Sequence, residues 1–209
     1  MDRRQFMVAA GSALASISTP QFHLAAVPFR RGLSCTPFNA SGVQQCEAGI
    51  ESAILDVTAS DTQHATEWCW AACIEAVFTY YDHPVPQERI VEEVWGDVVN
   101  MPGSPAQILY ALNRTWKDEN GASFAAHGST IGTNPITAAQ DLASDHPLII
   151  GALGHAMVLS ALTYERDYYG RGQVVLAEVR DPWPYNPNHR PLTPQEWYGA
   201  SFAARIRVT

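Results

Sequence analysis

The sequence predicts an α+β fold, a helical half followed by an antiparallel sheet half, on three observations. From Trp68 the polar residues Glu75, Thr79 and Asp82 form a narrow stripe at helical spacing. The rest of that circumference is Trp, Ala, Cys, Ile, Val, Phe and Tyr, so the segment reads as a helix buried on most sides and continuing to Tyr81. Helix-start signals recur at Pro86, Ser104 and Asn134. After Pro147 the pattern becomes apolar runs and period-two alternation broken by glycine, which reads as strands. With 209 residues and 46% hydrophobic content the chain can bury one good core. Three stretches are expected: an export signal over residues 1–26, an N-terminal extension over 27–60 and one folded domain over 61–209.

The first stretch reads as an address. Asp2-Arg3-Arg4-Gln5-Phe6-Met7 resembles a twin-arginine export signal, followed by a mild apolar region over residues 8–17. That region is too short and too polar for a permanent membrane anchor. Asp2 stands where Ser or Thr usually precedes the arginine pair, and the following Lys is missing, so a Sec-type signal is the alternative. Cleavage is expected after Ala26, giving a periplasmic or extracellular protein. In an oxidising compartment Cys35 and Cys46 would suit a disulfide closing a short loop; two free thiols is the other reading. Residues 50–57 are expected as an edge strand leading to the central helix.

The remaining elements follow in order. A second helix runs from Pro86 to about Trp95, with Gly96 as its stop. Ser104-Pro105-Ala106-Gln107 is a capping box that opens a third helix carrying Ile108, Leu109 and Leu112. Asn134-Pro135 opens a fourth, ending near Ser144, and Thr193-Pro194-Gln195-Glu196 opens a short fifth. Residues 115–133, polar and Gly-rich, carry no assigned element. Residues 147–153 form an apolar strand, and Gly154 separates it from a second strand starting at His155. Residues 173–179 alternate toward Arg180-Asp181-Pro182, and Phe202, Ala204, Ile206 and Val208 alternate with Arg205 and Arg207 in a closing strand.

Chemistry concentrates at three places. Cys69 lies in the first turn of the central helix, where unpaired N–H groups and the macrodipole favour an anion, and the thiolate is the form that attacks a carbonyl carbon. Gln63, six residues upstream on the entering loop, can point an amide donor at a developing oxyanion together with the N–H of Cys69. A hairpin centred near Tyr168 sets His155 opposite Asp181 and puts both on the core-facing side with Met157, Leu159, Val175 and Val179. Cys73, one turn after Cys69, reads as small core filler. Neither the cysteines nor the other histidines show metal-ligand spacing, so no metal and no cofactor is expected.

Gln63, then Cys69-Trp70-Ala71-Ala72 on a helix, then Gly154-His155 opening a strand and Asp181-Pro182 closing the next, resembles the papain-like cysteine peptidases. The likeness runs from about Gln63 to the end of the chain. The best match is to the bacterial branch of bacteriocin-processing (double-glycine) peptidases and AvrRpt2-type effector peptidases. The resemblance implies a papain-like fold, in which the buried nucleophile helix packs on the antiparallel sheet half. It also implies Cys69 as nucleophile, His155 as general base and acid, Asp181 as the orienter of His155, and Gln63 as oxyanion donor. Two departures stand out: Thr66-Glu67-Trp68 replaces the Cys-Gly-Ser stretch preceding the nucleophile of papain, and the third member is Asp where papain has Asn.

The expected partner is a peptide or protein substrate, acted on by a monomer. A net charge of −8 and the lack of a basic run after the first few residues argue against a nucleic-acid surface. Two other classes remain open. A transglutaminase-like acyltransferase uses Cys, His and Asp in the same order, with an amine replacing water. A non-catalytic binding module on the same fold would have no need for all four polar groups.

Overall fold

The computed structural model describes residues 32–50, 62–132 and 134–209. The export signal and its cleavage site lie outside the described residues, as do residues 51–57 of the expected edge strand. Five helices and nine strands make up the described fold, and the α+β architecture expected from the sequence is observed. The helices are α1 (Cys69–Tyr80), α2 (Gln87–Trp95), α3 (Pro105–Ala111), α4 (Pro135–Ala143) and α5 (Pro194–Tyr198). The strands are β1 (Gly32–Cys35), β2 (Val43–Gly49), β3 (Asn113–Lys117), β4 (Ser123–Thr130), β5 (Leu148–Ala152), β6 (His155–Asp167), β7 (Gly172–Arg180), β8 (His189–Pro191) and β9 (Ala200–Val208).

One antiparallel sheet joins all nine strands, in the order β1-β2-β6-β5-β9-β4-β3, with β7 and β8 branching from β6. The hub is β6. Its first residues pair with β5 and its later ones with β2, while β7 runs along its opposite edge. α1 packs on β6, so the helix that begins with Cys69 rests against the strand that begins with His155. Trp70, Ile74, Val77 and Phe78 of α1 are buried in one core with Leu148, Ile150, Met157 and Leu159 of the sheet. A fully buried large apolar side chain contributes roughly 1.5–3 kcal/mol, so this face fixes α1 firmly.

Local signals set the helix ends. Ser104 and Thr193 each close a capping box, and Asn134 caps α4 through the N–H groups of Ile136 and Thr137. Gly96 ends α2 at φ 78°, a left-handed position that costs glycine nothing.

Three findings differ from the sequence reading. Residues 32–49 contribute β1 and β2 to the sheet, while the Cys35–Cys46 disulfide that joins these strands is the pairing the sequence suggests. Residues 115–133 hold most of a β3–β4 hairpin, turned at Asp118 and Gly121, whose Trp116, Phe124 and Ala126 face the core. The β6–β7 register is displaced by two residues and interrupted by two bulges, with Leu159 opposite Val179. The displacement is two at both ends of the ladder and three between the bulges; at the Leu159–Val179 end it preserves the face of the side chains, and His155 and Asp181 still meet.

Candidate active site

Cys69 is the first residue of α1. The leading N–H groups of a helix have no intrahelical acceptor, so the positive end of the α1 dipole lies at the sulfur. No side chain caps the helix at Trp68; a loop holds its start instead. The Trp68 and Trp70 indoles donate to the carbonyls of Val99 (2.9 Å) and Met101 (3.1 Å). Asn100 accepts from the Glu67 N–H and donates to Thr66 Oγ1, both at 2.9 Å. From the other side Gln87, fully buried, accepts from His64 N–H and donates to the Thr62 carbonyl and Glu75 Oε2. All three hydrogen-bonding positions of that amide carry a neighbour, tying the entering loop to both α1 and α2.

His155 opens β6 directly after a two-residue turn. Leu153 (φ 51°) and Gly154 (φ 82°) both occupy left-handed backbone, the arrangement of a tight hairpin turn, and Ala152 pairs with His155. The imidazole Nε2 lies 2.7 Å from Asp181 Oδ1, and the ring lines the same cleft as Cys69. The Ala156 N–H donates to Cys69 Sγ at 3.4 Å. Asp181 has no solvent exposure. Besides His155 its carboxylate accepts from Trp183 N–H (2.9 Å), Asn186 Nδ2 (2.7 Å) and Arg190 Nε (2.7 Å). Arg190 in turn donates to Glu196 through both terminal nitrogens, at 2.6 and 3.0 Å.

Burial opposes charge on both members of the pair, and hydrogen bonding overcomes it. For His155, desolvation disfavours the imidazolium, but the bond to Asp181 and the neighbouring Cys69 push its pKa up to about 9. For Asp181, desolvation disfavours the carboxylate, yet donation from His155, Trp183, Arg190 and Asn186 holds it well below the usual carboxylate range. Cys73 shows burial alone prevailing: desolvation, reinforced by Cys69 and Asp181, pushes its thiol well above the ordinary value and leaves it a neutral core group.

Cys69, His155 and Asp181 are therefore brought together. Gln63 is placed differently. Its amide nitrogen donates to the carbonyls of Ala65 (2.8 Å) and Thr66 (2.9 Å), while its carbonyl oxygen is buried without a partner among the described residues. In this conformation both of its donors hold the loop that enters α1. The Gln63 backbone N–H bonds the Pro182 carbonyl at 2.9 Å, linking that loop to the residue after Asp181. Sequence reasoning missed Asn186, Arg190 and Gln87. The first two reach Asp181 across a loop, and Gln87 carries no signal beyond its place at the start of α2.

A cleft of about 320 Å³ opens over the sulfur. One wall is helical, with Glu67, Cys69, Trp70, Gly103 and Ile108; the other is sheet, with Gly151, His155, Trp183 and Phe202. Trp183 stands edge-on to the His155 ring, the centroids 6.3 Å apart. Among the described residues no group of three or more His, Cys, Asp and Glu side chains is arranged to hold a metal ion. No described helix is long and apolar enough to cross a membrane.

The chain matches no protein-family model and no curated protein. Among solved structures it is similar to a double-glycine-motif protease from an AMS/PCAT transporter, in complex with the leader peptide. The TM-score is 0.44 at 18% identity, over 70% of this chain and 87% of that one. It is also similar to UfSP from C. elegans, with a TM-score of 0.43 at 10% identity, over 88% of this chain and 35% of that one. These are likenesses of outline, and the chemistry is read from Cys69, His155 and Asp181 themselves.

Proposed function

We propose that the chain is a papain-like cysteine peptidase that hydrolyses peptide bonds through an acyl-enzyme on Cys69. One observation carries this reading: a helix-N-terminal thiol and an imidazole line the same cleft, and that imidazole is bonded to a fully buried carboxylate. The Cys69 thiolate attacks the scissile carbonyl carbon, and His155, protonated at neutral pH, gives its proton to the leaving amine. His155 then takes a proton from water as the water oxygen attacks the thioester carbonyl. The acid product departs and the resting pair is restored. Asp181 keeps the Nε2–H of His155 in line and balances its charge.

The oxyanion forms beside the N–H of Cys69, a donor already in place at the helix start. Gln63 joins it when the substrate carbonyl replaces those of Ala65 and Thr66 as acceptor of its amide. The substrate is a peptide or protein entering the cleft between the two halves. The Cys35–Cys46 disulfide supports a life outside the cytoplasm, in keeping with the Arg3-Arg4 leader. The bacterial branch of the papain-like peptidases is the family reading that the spacing from Gln63 to Cys69 and the Asp at 181 favour.

Replacing Cys69 by Ala tests the reading. The change is small and sits at a helix end, so the protein should fold and bind peptide but not cleave it. A folded alanine variant with wild-type turnover would overturn the proposal.

A further inference from the structure

Only two charged side chains line the described cleft, and one of them, His155, belongs to the reacting pair. The other is Glu67, two residues before the nucleophile. Its backbone is fixed: the N–H of Glu67 is held by Asn100, Asn100 also grips Thr66, and the next residue is anchored through its indole to Val99. Its side chain is exposed, and its carboxylate has no hydrogen-bond or ion-pair partner among the described residues. An unpaired carboxylate on an anchored stretch of backbone thus lines the cleft, two residues before Cys69.

Beyond Thr66 and Cys69 the rest of the helical wall is apolar and close-packed. A Cβ at Gly103 would come within 2.5 Å of the Trp70 ring, so at this point the wall has no side chain and the backbone lies directly on the indole. Ile108 is nearly buried, and Phe202 faces them from the sheet. Glu67 is the one carboxylate that lines the described cleft, and it can answer a cation. The whole molecule carries a net charge of −8, which draws cationic peptides toward it over distances on the order of a Debye length, about 8 Å at physiological salt.

We infer that Glu67 forms a subsite for a basic side chain, so the substrates are peptides with Arg or Lys near the scissile bond and an apolar residue on the Trp70–Phe202 side. This rests on the peptidase reading of Cys69 and adds the class of peptide it takes. The energetic scale is that of a solvent-exposed ion pair, so removing the charge should cost roughly two- to fivefold in kcat/KM on basic substrates.

The test is a cleavage profile of the full chain on a peptide library randomised around the cut, repeated with Glu67→Gln and Glu67→Lys. Wild type should enrich Arg and Lys at one position. Glu67→Gln should reduce that enrichment roughly two- to fivefold, and Glu67→Lys should turn it toward Asp and Glu, with the apolar preference unchanged in both. Cleavage by wild type without a basic preference, or a preference that survives Glu67→Gln, overturns this inference and leaves the peptidase reading standing. No cleavage of any peptide by wild type overturns both.

Discussion

Replacing Asp181 by Asn keeps the shape of the side chain and removes its charge. The consequence can be worked from the pair itself. His155 is pushed from 6.5 to about 9 against the desolvation of its ring, and the Asp181 bond with the nearby Cys69 is what pushes it. That rise corresponds to roughly 3 kcal/mol favouring the imidazolium. Asp181 accounts for much of it, so in the variant the pKa of His155 should fall by about 1 to 2 pH units. Because His155 must carry a proton to release the amine, the basic limb of kcat/KM should move down by the same amount. The folded pKa of His155 lies above its unfolded value, so the stability it contributes is complete below pH 6.5 and disappears as pH rises through about 9. Wild-type protein should therefore lose up to roughly 3 kcal/mol between those limits, and Asp181→Asn much less. The assays are a pH–rate profile and denaturant unfolding at several pH values. An unchanged basic limb in Asp181→Asn would refute the coupling.

Arg190→Ala removes a donor from a buried carboxylate and should lower kcat about tenfold or more with little change in KM; Arg190→Lys should recover part of the loss. Equal losses in KM and kcat would place Arg190 in substrate binding instead. The Cys35–Cys46 bridge closes a loop between residues 11 apart, so replacing both cysteines by Ser should cost about 3 kcal/mol of stability. Intact mass should rise by two hydrogens on reduction, and alkylation at pH 6 should label Cys69 quickly and the buried Cys73 slowly. Four alkylatable thiols before reduction would contradict the pairing.

Signals contained in a few adjacent residues were legible from the chain. The capping boxes at Ser104 and Thr193, the Asn134 cap and the Gly96 stop depend on contacts within four residues, and each ends its helix as expected. The contact of His155 with Asp181 was legible for a different reason. The hairpin register was wrong by two residues, but parity protects which face a side chain occupies. The β3–β4 hairpin was legible and missed: Asn120-Gly121 is a turn signal, and Trp116, Phe124 and Ala126 alternate into the core. What depends on long-range pairing was not legible. Nothing near Cys46 announces that it lies opposite Tyr164, and nothing near Arg190 announces that its guanidinium reaches Asp181. Gln63 shows the same limit, since spacing placed it near Cys69 but could not show that its amide is held by the Ala65 and Thr66 carbonyls.

The central claim is a covalent bond between substrate and Cys69, and trapping that bond tests it most directly. Full-length protein is mixed with a cleaved peptide, quenched in acid within the first turnover and measured by intact mass and by mapping of the digested adduct. The account predicts a mass increase equal to the acyl half of the peptide, carried on the fragment that contains Cys69 and missing from Cys69→Ala. Hydrolysis that continues in Cys69→Ala, or an adduct on any residue other than Cys69, would contradict it.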